Sequence, residues 1–178
     1  MTMIKVMIVG QKWLAEQLLK RCIDMGDIEV VLVSVPYIND RTAILADRLA
    51  IPVATHGKTL IAGAVPDGID VILMAHAYCF VGADARAKAR LGAIGYHPSL
   101  LPAYKGKTAI ADAFNAGDAV TGGSLYQLDD GWDTGVVIDQ ASVNIGDNDT
   151  IKSLWQDKLA PLGLLLFESY LKSIRHDI

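Results

Sequence analysis

Two segments of the chain concentrate side chains whose types and spacing suit chemistry. The first is Gly95-Tyr96-His97-Pro98-Ser99-Leu100-Leu101-Pro102-Ala103-Tyr104-Lys105-Gly106. A short apolar run, Ala93 to Tyr96, leads into His97; Pro98 fixes its own φ and drives His97 toward extended geometry, and Pro102 stiffens the loop further. A histidine held rigidly at the carboxyl end of a strand is placed to stabilise charge or move a proton, because an unperturbed imidazole titrates at about pH 6.5. The second segment, Asp129-Asp130-Gly131-Trp132-Asp133-Thr134-Gly135, puts three carboxylates on one glycine-bracketed loop between apolar strands. An Asp beside a His orients the ring and favours its imidazolium form. A purely structural reading also stands: His97 donating to a backbone carbonyl in a tight turn, and Asp133 as a turn residue before Thr-Gly. Spacing alone leaves both open.

Other motif-like stretches fail on inspection. Gly106-Lys107-Thr108 and Gly57-Lys58-Thr59 look like the end of a phosphate-binding loop, but Leu101 and Pro52 stand where that motif requires its first glycine. After the first strand, Gly10 is followed by Gln11, Lys12 and Trp13 rather than by the glycines that let a dinucleotide pyrophosphate approach the backbone. His56, His76, His97 and His176 share no ligand spacing, so no metal is expected.

The elements that must carry the two segments follow from hydrophobic periodicity. Ile4 to Val9, Ile28 to Val35 and Asp70 to Met74 read as buried strands, with a shorter one beginning at Ile51-Pro52-Val53. Between them, Leu14, Leu18, Cys22 and Met25 fall at helical spacing before a Gly26 stop, and Asp40 caps a helix over Ala43 to Leu49. This βαβαβ rhythm predicts an α/β fold, a mostly parallel sheet with helices on both faces. Further on come a short helix from Ala109 to Ala116 and strands Ser124 to Leu128 and Val136 to Val143. A long final helix starts near Thr150, where Pro161 should kink or split it.

With 178 residues and no repeat, linker or low-complexity stretch, residues 1–178 read as one domain. Apolar residues make up 52% and charged residues 20%, enough to bury a full core, which excludes disorder as the main state. A net charge of -4 gives no attraction to phosphate polymers, so no nucleic-acid partner is expected. Cys22 and Cys79 are too few and too far apart for a disulfide scaffold. The apolar start has no signal-type cleavage site, and the longest uncharged apolar stretch, Leu159 to Phe167, is far short of a membrane span. Together these point to a soluble, cytoplasmic chain without a membrane partner.

His-Pro-Ser-Leu-Leu-Pro-x-Tyr-Lys-Gly, followed downstream by Leu-Asp-Asp-Gly-Trp-Asp-Thr-Gly-Val-Val-Ile, resembles the catalytic core of the folate-dependent formyltransferase family. That family includes the glycinamide ribonucleotide and methionyl-tRNA enzymes. The resemblance covers most of the chain and implies a Rossmann-like formyltransferase fold with 10-formyltetrahydrofolate as formyl donor. By position, His97 and Asp133 match the family's catalytic His and Asp. The folate pocket would lie between the loop after the fourth strand and the Asp loop. It implies Met74, Tyr78, Cys79, Phe80 and Val81 from the first, and Leu128, Asp129, Asp130 and Trp132 from the second. Tyr78 and Phe80 also fit as ordinary core aromatics, and Cys79 reads as buried rather than reactive. His76 has no assigned role.

Three departures bear on function. Gly95 stands where the family usually has Asn; the hydrolase domain of 10-formyltetrahydrofolate dehydrogenase, which the motif resembles most, also lacks the Asn. Gly10-Gln11-Lys12-Trp13 replaces the family's phosphate-holding Gly-Ser-Asn loop, which argues against a purine-pathway substrate. The chain also ends without the carboxy-terminal domain of the transfer-RNA enzymes. The implied activity is cleavage of the formyl donor, with the formyl group passed to water or a small amine. The alternatives are a formyltransferase for a specific amine (an amino sugar, an amino acid or methionyl-tRNA), a folate-binding module without turnover, and an unrelated nucleotide-binding domain.

Overall fold

The computed structural model describes residues 3–177, with side chains through Arg175. His176, one of the four histidines weighed above, therefore has its side chain outside the described part. In chain order the elements are β1 (Ile4–Gly10), α1 (Lys12–Met25), β2 (Ile28–Val35), α2 (Arg41–Arg48), β3 (Val53–Thr55), β4 (Thr59–Leu60), β5 (Val71–Ala75), β6 (Phe80–Val81), α3 (Ala83–Arg86), β7 (Ala93–His97), α4 (Ala109–Asn115), β8 (Val120–Gln127), β9 (Val137–Asn144), α5 (Ile151–Ser153) and α6 (Ala160–Ser173). A π-helical turn, Leu154–Leu159, joins α5 to α6.

The main sheet has seven strands in the order β3-β2-β1-β5-β7-β8-β9. It is parallel from β3 to β7 and antiparallel from β7 to β9. This is the expected α/β, Rossmann-like architecture. Strand β1 shows how the sequence builds it. Its period-2 alternation sends Val6 and Ile8 into a core with Leu14, Leu18 and Phe167 from α1 and α6, while Met7 and Val9 enter a second core with Ile72, Val81 and Ala85. Helices α1, α2 and α6 thus cover one face, and α3 with its neighbouring loops covers the other.

The local signals work as physics requires. Gly26 ends α1 in the left-handed region at φ 74°, where a Cβ would be strained. The Asp40 carboxylate accepts the Thr42 N–H at 2.8 Å and caps α2. Thr150 and Ser153 cap α5 reciprocally. The helix that follows is neither ended nor separated at the proline: the π turn passes directly into α6 with Leu159 and Ala160 both in the right-handed helical region, and Pro161 stands in the first turn of α6, just after that wider turn. Two features differ from expectation. Strand β8 begins at Val120, four residues before Ser124, and the segments at Thr59 and Phe80 pair in parallel as a separate two-stranded sheet. No helix among the described residues is long and apolar enough to cross a membrane.

Candidate active site

Strands β1, β5 and β7 run parallel, and the loops at their carboxyl ends open onto one side, where open α/β sheets bind ligands. His97 is the last residue of β7 and is 6% exposed. Its Nε2–H donates to the Tyr104 carbonyl at 2.7 Å; a carbonyl only accepts, so this nitrogen carries a proton. The other nitrogen, Nδ1, faces Asp133 Oδ2 at 3.5 Å. The backbone-carbonyl bond considered from sequence exists, and it is what turns Nδ1 toward the carboxylate.

The loop after His97 is pinned from below. The Ser99 hydroxyl donates to the Ala103 carbonyl, and the buried Ser124 hydroxyl donates to the Ser99 carbonyl while accepting the Leu101 N–H. Asp133 adopts φ 54°, a strained conformation for a side chain other than glycine. Its carboxylate accepts the Gly106 N–H on Oδ2 and the Tyr126 O–H on Oδ1, each at 2.8 Å. Two donors on one carboxylate fix its direction. His97 and Asp133, 36 residues apart in sequence, thus meet at the foot of one cavity.

That cavity has a volume of about 840 Å³, within the range of small-molecule sites. Met74, Tyr78, Cys79, Phe80 and Val81 line it from one side, and Leu128, Asp129 and Trp132 from the other. Burial pushes the Cys79 thiol up to about 11, so it is not a thiolate at neutral pH. The Asp129 carboxylate accepts the Thr134 O–H and the Gly131 N–H, bonds that hold it below the usual carboxylate range and shape the loop.

Asp130 is the exception among the sequence-predicted residues. Its side chain is 85% exposed and paired with Arg86 Nη2 at 2.5 Å, outside the cavity lining. Arg86 is itself anchored by Nη1 to the Val81 carbonyl, so it draws Asp130 away from the cavity.

Several residues of the site were not read from the sequence. Lys58 and Lys107 line the cavity, and the Lys107 ammonium lies 5.6 Å over the Tyr78 ring, within cation–π reach. Trp155, on the π turn, meets the His76 ring edge-on at 4.9 Å. Burial, with the charge of Lys12 adding and Asp40 opposing, lowers His76 to about 4, so it is neutral at pH 7; its Nε2 hydrogen-bonds the Tyr78 hydroxyl at 3.2 Å. Tyr126 was missed although a signal was present: strand alternation puts Tyr126 and Leu128 on one face, and Leu128 was assigned to the site. No group of His, Cys, Asp and Glu among the described residues could hold a metal ion.

Residues 4–161 match the formyl transferase family. The chain belongs to that family. Over 173 residues, 90% of its length, it is 30% identical to the mitochondrial 10-formyltetrahydrofolate dehydrogenase of Mus musculus. Over 88 residues, 49% of its length, it is 43% identical to the methionyl-tRNA formyltransferase of Burkholderia vietnamiensis. It spans 19% and 27% of those two proteins. Among solved structures, the phosphoribosylglycinamide formyltransferase of Bacillus halodurans superimposes with a TM-score of 0.82, covering 98% of this chain and 97% of that one at 24% identity. This likeness extends the family's fold over nearly the whole molecule.

Proposed function

We propose that residues 1–178 act as one catalytic domain that cleaves the formyl group from 10-formyltetrahydrofolate and passes it to water or a small amine. The observation that carries this reading is the approach of His97 Nδ1 to Asp133 at the foot of the cavity. The cavity walls fit the donor by chemistry. Phe80, Tyr78, Leu128 and Trp132 offer apolar and aromatic surface to a fused ring, and Lys58 and Lys107 offer cations to its carboxylates. The 30% identity to 10-formyltetrahydrofolate dehydrogenase supports this donor.

The residues divide the work as follows. His97 and Asp133 take a proton as water or an amine attacks the formyl carbon, and His97 stabilises the oxyanion that develops there. Collapse breaks the carbon–nitrogen bond, and the pair returns a proton to the leaving nitrogen. With water, the new bond is carbon–oxygen, and the products are formate and tetrahydrofolate. The 3.5 Å gap between Nδ1 and Oδ2 is longer than a direct hydrogen bond and is expected to tighten around bound donor.

The test is formate release from 10-formyltetrahydrofolate without added amine, with His97→Ala protein as background. Release above that background supports hydrolysis. Release at background with formylation of an added amine assigns the acceptor to the amine class. Neither activity, with saturable donor binding, identifies a binding module.

A further inference from the structure

Gly95 lies on β7, and its cross-strand partner on β8 is Tyr126. A Cβ built on Gly95 would lie 3.1 and 3.2 Å from Cε1 and Cζ of Tyr126, and 2.8 Å from Leu128 Cδ1. The Leu128 methyl is a flexible end that can yield. The Tyr126 ring yields less, because its far end is tied down: its hydroxyl donates to Asp133 Oδ1 at 2.8 Å. The other carboxylate oxygen, Oδ2, accepts the Gly106 N–H and faces His97. The two bonds together set the rotation of the carboxylate about its own axis, and the ring that makes one of them fills the space over a residue with no side chain. Burial, and then the Asp133 charge, push the Tyr126 phenol well up from its usual value, so it stays protonated and donating at any working pH.

We propose that Tyr126 is a positioning residue for formyl transfer: its hydroxyl holds the Asp133 carboxylate against His97, and the bare backbone of Gly95 is what admits its ring. The inference rests on the assignment of His97 and Asp133 above. Tyr126 touches Asp133 rather than the reacting atoms, so its effect passes through the carboxylate. Asp133 is in a strained backbone conformation, and without its phenol donor the carboxylate loses one of the two bonds that orient it.

The test uses the full chain and two readouts. The first needs no turnover: the His97 Cε1–Hε1 NMR signal of the free protein, assigned by its loss in His97→Ala. Tyr126→Phe keeps the ring and removes the hydroxyl, and is expected to move this signal. Tyr37→Phe, at a residue 70% exposed and outside the cavity lining, is expected to leave it in place. Gly95→Ala should move it as Tyr126→Phe does. An unmoved His97 signal in Tyr126→Phe overturns the proposal.

The second readout is turnover of the formyl donor. A displaced catalytic group costs about tenfold to a hundredfold in kcat, while KM for the donor stays within about twofold. Adding Gly95→Ala to Tyr126→Phe should cost less than Gly95→Ala does alone, because the bond it breaks is already gone. Fully additive losses, or a KM that rises with kcat unchanged, overturn it. If wild-type turnover equals the His97→Ala background while the His97 signal moves in Tyr126→Phe, the formyl-transfer reading fails and the link from Tyr126 to His97 stands.

Discussion

The Tyr104 carbonyl, His97, Asp133 and Tyr126 form a chain of groups separated by 2.7, 3.5 and 2.8 Å at one end of the cavity. At the other end, Tyr78 and Trp132 are about half exposed, with ring contacts of 5.5 Å to His76 and 5.6 Å to Phe80. The foot is held mainly by directional bonds and the rim mainly by ring contacts, with one longer hydrogen bond between Tyr78 and His76. Directional bonds fix atoms to within tenths of an ångström, which proton transfer at a reacting carbon needs. Apolar contact tolerates changes of shape and gives affinity rather than alignment. The two ends should therefore fail differently: damage at the foot should appear in rate, and damage at the rim in binding.

The largest effect is expected at the foot. His97→Ala and Asp133→Asn should each lower turnover of the formyl donor by about 10²–10⁴, with circular dichroism unchanged. Asp133→Asn keeps the shape and removes the charge that faces Nδ1, so its loss would locate the effect in electrostatics. A rim substitution that lowered kcat as much as either of these would break the comparison.

At the rim, Trp132→Phe should change the dissociation constant for a folate analogue by no more than about tenfold, leaving kcat near wild type. Trp132 and Trp155 both line the cavity, so an analogue should quench fluorescence from both. In Trp132→Phe the saturable quenching should shrink and not vanish, and the remainder should disappear with Trp155→Phe added. Retention of full quenching in Trp132→Phe would place the ligand against the π turn instead of the Asp loop.

His76 gives a smaller effect, read as stability. Its folded value of about 4 lies below the ordinary histidine value, so between about pH 6.5 and 4 the unfolded chain binds the extra proton and the folded one does not. The stabilisation is complete above about pH 6.5 and is lost as pH falls through that window. The melting temperature should drop on acidification from 6.5 to 4, and drop less steeply in His76→Gln. Some slope will remain, because burial lowers His56 in the same direction.

The parallel half of the molecule was legible because its strands and helices announce themselves locally. Continuous apolar runs such as Ile28 to Val35, a Gly26 stop and an Asp40 cap are short-range signals, and the structure shows each of them. The loops of His97 and Asp133 stood out for a different reason, proline on one side and glycines on the other, but spacing left the roles of the two residues open, and it was the resemblance to the formyltransferase family that implied them. Tyr126 was not found. Its role depends on which residue of β7 it pairs with, and register across an antiparallel pair is a long-range property. From the sequence, Gly95 looks like the loss of an amide; beside Tyr126 it is the room that a phenol from the next strand fills. Lys58 and Trp155 escaped for the same reason, being brought to the cavity by elements far from it in sequence.

The smallest effect is expected where the sequence grouped three aspartates on one loop and the structure separates their tasks. Asp133 faces His97, Asp129 ties the loop to Thr134 and the Gly131 N–H, and Asp130 points outward to Arg86. An ion pair with one partner 85% exposed is screened by water and contributes little. Arg86 also keeps its bond to the Val81 carbonyl at 2.6 Å when the pair is removed, so the cavity wall stays in place. Asp130→Asn should therefore leave donor turnover and affinity within about twofold of wild type, and shift the melting temperature by no more than about 2–4 °C. Asp129→Asn, which weakens the bonds that shape the loop carrying Asp133, should do more harm to kcat than Asp130→Asn. Steady-state kinetics on the two variants side by side decide the matter. If Asp130→Asn is the more damaged, its carboxylate reaches the donor and the rim is more polar than its contacts with Phe80 and Tyr78 imply.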